Sequence, residues 1–221
     1  MNENLSNEKR IVSVIALLAI AIALFFAYDT YISEKGKAWN VFQDYLTASR
    51  EHDLERMKTL AHHLSSVCED SPESDDCKTR MDTVALIGGE FNKSNFKNVW
   101  SDEKQLVLVT NWDEQDTEDT IIRMRQIIYF LKSEGEIKLV AFKPWQGTFM
   151  VKDKENPRPV EELQSMIKTY TDDLDFDGMD DYLEECLSDS QEETCIKTDP
   201  KLRDSDGDGF WDGVQAQFEA K

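Results

Sequence analysis

Two stretches near the carboxyl end of this 221-residue chain carry side chains whose type and spacing point to metal chemistry. Residues 173–184 read Asp-Leu-Asp-Phe-Asp-Gly-Met-Asp-Asp-Tyr-Leu-Glu, and residues 204–215 read Asp-Ser-Asp-Gly-Asp-Gly-Phe-Trp-Asp-Gly-Val-Gln. Each places carboxylates at loop positions 1, 3, 5 and 9 and glycine at position 6, and the two copies are in register 31 residues apart. Oxygen donors on alternate residues of a tight loop converge when the backbone turns sharply at the sixth, where glycine enters left-handed φ/ψ space cheaply. A hard cation taking about six to eight oxygens, as Ca2+ does, suits that donor set.

In the first stretch the expected side-chain ligands are Asp173, Asp175, Asp177 and Asp181, with Met179 as a carbonyl donor and Glu184 as the bidentate twelfth residue. In the second they are Asp204, Asp206, Asp208 and Asp212, with Phe210 as the carbonyl donor and Gln215 in the twelfth position. An amide there gives one oxygen where a carboxylate gives two, so the second site is expected to be weaker. Lone acidic, glycine-rich segments are commonly solvated turns; two copies in register argue for metal binding.

Residues 172–221 hold seventeen Asp/Glu and four Lys/Arg, a local charge of −13 within a chain total of −20. Without cations these carboxylates repel one another and few apolar residues compensate, so the segment is expected to order only as Ca2+ binds. So acidic a chain offers nothing to nucleic acid. Ahead of the first loop, Pro159 suits the first turn of a helix with Val160, Leu163, Met166 and Ile167 on one side, and Tyr182–Leu187 suits a short exit helix. The Lys, Glu, Asn and Pro of 151–159 mark a linker.

Residues 38–150 are the stretch able to bury a sizeable core. Trp39, Phe42 and Leu46, and after a restart at Asp53 also Met57, Leu60, Ala61 and Leu64, recur at helical spacing. Beyond the loop between the first two cysteines the pattern changes. The runs 96–100, 105–112, 121–131 and 136–142 are β-branched or aromatic and are separated by turn signals, which predicts an antiparallel sheet. The expected fold class is α+β, with helices packed on a curved antiparallel sheet. Four divisions follow: 1–28 an anchor, 29–150 the α+β domain, 151–171 a linker and helix, and 172–221 the calcium-binding segment.

The anchor rests on Ile11–Tyr28, which is apolar except for Ser13 and long enough nearly to cross a membrane as a transmembrane helix. Phe25 would occupy the −3 position of a cut after Ala27, which argues for a retained anchor rather than a cleaved leader. Cys68 with Cys77 and Cys186 with Cys195 each bracket eight residues, a spacing that suits local disulfides on the oxidising side of the membrane and not zinc. Lys9 and Arg10 on the amino side are matched by Lys35 and Lys37 on the other, so the count of basic residues is even. Proximity to the membrane favours a cytoplasmic amino side, and the cysteines and calcium loops argue more strongly for an extracytoplasmic remainder.

His52 beside Asp53, and the pair His62 and His63, are the candidates for acid–base work. Adjacent helical residues point apart, and neither a Ser/His/Asp order, a His-Glu-x-x-His pattern nor a phosphate loop occurs, so no enzyme is expected.

The run 38–48, residues 53–57, and the closing Ile128-Tyr129-Phe130-Leu131, Gly135 and Ile137-Lys138-Leu139-Val140 together resemble the nuclear-transport-factor-2-like superfamily. That resemblance implies helices in the concave side of a curved sheet, and leaves open enzymatic, ligand-binding and structural roles. Helix, loop and helix around the first site resemble an EF-hand, but position 8 is Asp180 rather than an apolar residue. Residues 173–184, followed by Thr198-Asp199-Pro200 and 204–210, are closer to the bacterial thrombospondin type 3 repeat, which implies an extracellular segment folded around calcium. The expected function is that of a membrane-anchored, calcium-binding protein of a prokaryotic cell surface, its tail a structural element or one that docks a cell-surface partner. The alternatives are a ligand-binding or hydrolytic domain on a calcium-stabilised stalk, with His52 or His62 in a deep apolar pocket, and a dockerin-like module. The short, polar stretch after the second loop counts against the dockerin-like reading.

Overall fold

The computed structural model describes residues 14–25, 28–117, 120–151, 159, 161–162, 165, 172–185 and 198–219. Two compact units are distinguished, Met1–Asn40 and Val41–Lys221. In the first, residues 14–25 form helix α1, and every one of its side chains is exposed. Among the described residues no helix is long and apolar enough to cross a membrane. The expected span is thus seen only over 14–25 and at Tyr28; residues 11–13, 26 and 27 lie outside the described ones.

Helix α2 (Glu34–Arg50) continues into the second unit and is followed by α3 (Leu54–Leu60), α4 (Ser66–Asp70) and α5 (Asp75–Gly89). The restart expected at Asp53 is a cap: its carboxylate accepts from Arg56 N at 3.0 Å, after His52 turns the chain at φ 55°. Ser74 caps α5 in the same way, accepting from Cys77 N at 3.1 Å. The stretch read as a cysteine loop is thus a turn over residues 71–74 between two helix ends, with Cys68 on α4 and Cys77 on α5 joined by a disulfide. Short polar runs such as Asp75-Asp76-Cys77-Lys78-Thr79-Arg80 carry little apolar periodicity, which is why α5 escaped the sequence reading.

Strands β1 (Asn98–Ser101), β2 (Gln105–Thr117), β3 (Thr120–Ser133) and β4 (Glu136–Val151) form one antiparallel sheet in the order β1-β2-β3-β4. The expected α+β class and antiparallel meander hold; β2 and β4 run well past the apolar runs that announced them, β4 to Val151 at the start of the expected linker. Glu134 and Gly135, at φ 52° and 85°, make the two-residue turn between β3 and β4.

Strand alternation divides the sheet's side chains between two faces. On one, Phe142 of β4 meets Phe42 of α2 and Phe91 at ring distances of 5.2 and 5.7 Å, beneath the helices. On the other, Val107, Val109, Ile127, Tyr129 and Val140 form a buried cluster with Trp211 and Val214. The C-terminal segment, with its short helices α6 (Asp181–Glu184) and α7 (Asp212–Glu219), thus lies on the face that the α2–α5 helices leave uncovered. Residues 161, 162 and 165 of the helix expected from Pro159 are helical, and the remainder of it, with Cys186 and Cys195, lies outside the described residues.

Candidate metal centre

The two acidic stretches fold along the same path. Gly178 and Gly209, the sixth residues, have φ of 101° and 94°, and the fourth residues Phe176 and Gly207 also have positive φ, at 64° and 77°. Position 2 donates its N–H to the carboxylate at position 9 in both: Leu174 to Asp181 at 2.9 Å, and Ser205 to Asp212 at 3.1 Å. The sixth N–H reaches back to the first carboxylate, Gly178 to Asp173 at 3.2 Å and Gly209 to Asp204 at 2.8 Å. The seventh reaches the fifth, Met179 to Asp177 at 2.6 Å and Phe210 to Asp208 at 2.8 Å. These bonds aim the carboxylates inward.

Three groups of carboxylates result, each offering ligand atoms within 4.8 Å of one another: Asp173, Asp175 and Asp177; Asp177, Glu184 and Asp212; and Asp204, Asp206 and Asp208. Each group can hold a metal ion. The first two share Asp177 and are buried, whereas Asp206 and Asp208 are exposed. Asp212, assigned by sequence to the second loop, stands with Asp177 and Glu184 of the first while accepting from Ser205 N of its own. Asp181 holds Leu174 N, and Gln215 lies half-buried on the first turn of α7 with its N–H on Trp211 O at 2.8 Å.

Crowding these acids away from water disfavours their charged forms. Burial, with Asp173 nearby, pushes Asp175 up to about 7. Burial, with Asp175 adding to it, pushes Asp177 up to about 8 against the N–H groups of Met179 and Gly213. Glu184 is pushed up to about 7 by burial, partly offset by Thr198, whose hydroxyl donates at 3.0 Å. Burial also raises Asp173 and Asp212. Asp175 is 8 % exposed, and among the described residues its Oδ2 finds no hydrogen-bond donor. An oxygen of that kind, among partly neutralised neighbours, fits a divalent cation.

The sheet supplies groups that sequence reading missed. Arg125 of β3, 2 % exposed, donates from Nη2 to Asp173 at 2.8 Å and pairs through Nη1 with Asp180. This explains the acid at position 8: Asp180 faces an internal cation, not a partner loop. The signal was legible, because Arg125 falls two residues before Ile127 and four before Tyr129, on the alternation of an apolar strand. Tyr129 donates its hydroxyl to Gly178 O at 2.7 Å, and Gln105 Oε1 accepts from Trp211 N at 2.9 Å. Arg203 lies over the Trp211 ring at 4.6 Å and donates to Asp175 O. Gly213 N donates to Asp177 Oδ2 at 2.6 Å, so the two loops touch each other as well as the sheet.

The histidines stand apart from this centre. His52 meets Asp82 at 2.9 Å on the surface, His62 is exposed, and His63 lines a cavity on the helical side. The pocket anticipated around His52 or His62 therefore contains the neighbouring imidazole instead. Comparison with protein-family models, with curated proteins and with solved structures finds no match for this chain.

Proposed function

We propose that the protein is a membrane-anchored, extracytoplasmic, calcium-binding protein of a prokaryotic cell surface, without enzymatic activity, whose acidic tail is clamped onto its own sheet by bound Ca2+. The observation carrying this reading is the pair of buried carboxylate groups that share Asp177 and draw on both loops. All-oxygen, acid-rich sites favour hard cations, and the loop length and donor count suit Ca2+ better than the smaller, stricter Mg2+. The likeness of both loops to thrombospondin type 3 repeats supports the choice.

The Cys68–Cys77 disulfide suits an oxidising compartment, where calcium is also abundant. The anchoring role of the amino-terminal region is supported by α1, whose large apolar residues, among them Ile15, Leu17, Leu18, Ile20 and Leu24, are at least half exposed. A helix apolar on every side suits lipid rather than water. Calorimetric titration of the full chain with Ca2+ tests the reading, alone and with Asp175→Ala or Asp206→Ala. Distinct binding events that each variant removes selectively are expected. Absence of binding at millimolar Ca2+ would overturn it.

A further inference from the structure

On the helical side, remote from the acidic loops, a cavity of about 360 Å³ opens between α2, α3, α5 and strand β4. That volume is within the range of small-molecule sites, about 300–1,000 Å³. Its apolar wall comes from Met57, Leu64, Val84, Ile87, Leu139 and Phe142, and Tyr45, His63, Ser65, Arg80 and Thr83 add polar groups to the lining.

The cavity is held open by bonds that do not depend on its contents. His62 N donates to Leu139 O at 2.7 Å, fixing the end of α3 on β4. Leu64 N donates to Glu69 Oε1 at 3.0 Å, and the Cys68–Cys77 disulfide ties α4 to α5 at the wall. A preformed pocket does not have to be ordered by its ligand, so binding loses less free energy to reorganisation.

Two of the polar groups keep unused bonding capacity, although His63 packs on His62 with Glu69 nearby. Among the described residues, His63 Nδ1 is buried without a hydrogen bond, and no ion pair to Arg80 is seen although the chain carries a net charge of −20. Arg80 is exposed and close enough to the buried Tyr45 to act on its hydroxyl, which burial pushes up to about 12. A guanidinium with an imidazole beside an apolar chamber is the arrangement that accepts a carboxylate with a hydrocarbon body.

We propose that this cavity binds a small monocarboxylic amphiphile, with its apolar body against Met57, Ile87 and Phe142 and its carboxylate on Arg80 and His63. The site is separate from the acidic loops and does not require calcium.

Ligand-observed saturation-transfer NMR on the full chain in lipid nanodiscs, with empty nanodiscs subtracted, tests it using 4-phenylbutyrate and its uncharged amide. The acid is expected to bind at millimolar concentration and the amide about ten-fold more weakly or worse. Arg80→Gln is expected to weaken the acid about ten-fold while leaving the amide unchanged, and Arg80→Lys to retain most of the affinity. Val84→Trp, which fills the chamber, is expected to remove both. Circular dichroism matched to the parent protein qualifies each variant, and the exposed Arg80 decides the matter if Val84→Trp fails to fold. Equal binding of acid and amide, no transfer from either, or unchanged binding in a folded Val84→Trp would overturn the proposal.

Discussion

Arg125 of β3 and Asp173, the first residue of the first acidic loop, meet at 2.8 Å with both side chains almost wholly buried. The bond joins residues 48 positions apart and attaches a highly charged segment to the middle of an apolar sheet. Removing one partner of such a pair strands the other's charge, at a cost of about 3–5 kcal/mol. Arg125→Ala is therefore expected to lower the urea midpoint by that equivalent and to red-shift Trp211 fluorescence, whereas Arg56→Ala, whose pairs are solvent-exposed, shifts it by less than about 1 kcal/mol.

The pH dependence without metal has a definite sign. Asp175 and Asp177 rise from 3.8 to about 7 and about 8, and Glu184 from 4.5 to about 7, so the folded state holds protons that the unfolded chain releases. Their protonation supports the fold fully below the unfolded values and this support is lost as pH rises through the folded ones. In chelator, urea midpoints followed by tryptophan fluorescence should fall as pH rises from about 4 to about 8 and level off above that. With Ca2+ the cation takes the place of those protons, so affinity measured by calorimetry should rise over the same interval, with proton release.

The contact between loops turns on Gly213. A Cβ there would lie 2.6 Å from Asp177 O and 2.9 Å from Met179 N, both backbone atoms with little freedom to move. Gly207 has φ of 77° but open space around it. Gly207→Ala should thus cost only the left-handed penalty, about 1–2 kcal/mol, while Gly213→Ala should cost more and weaken calcium binding at the first loop. Parallel denaturation and calorimetry separate the two effects.

Asp212 belongs to one repeat by sequence and faces the other in space. Asp212→Asn should reduce affinity at the buried site as well as at its own loop, and the losses from Asp212→Asn and Asp177→Asn should be non-additive. Calorimetric titration of each single variant and of the double variant, against the parent protein, supplies the four affinities that the comparison needs. Additive losses would show that the carboxylates act independently.

Much of this architecture was legible from residue types. Periodicity located α2, α3 and all four strands, and the alternation of Asp with glycine at the sixth position located both loops and their turns. What escaped was tertiary. A stretch with charge −13 looks self-sufficient, yet Trp211 and Val214 were its apolar anchors, and only the pairing register shows that Val107, Ile127 and Tyr129 wait on one face for them. The grouping of Asp212 with Glu184 likewise depends on how two short segments cross, which no spacing rule within either segment encodes.

Trp211 and Val214 also act as a cover. Beneath them Val107, Val109 and Ile127 are fully buried in adjacent strands, a β-branched patch of the kind that sticks to other chains when bare. On the proposed function, bound cations would hold this acidic flap over the patch, so colloidal behaviour would depend on the ionic surroundings: chelation at alkaline pH, where the carboxylates are charged, would loosen the flap and leave the molecule adhesive at its centre.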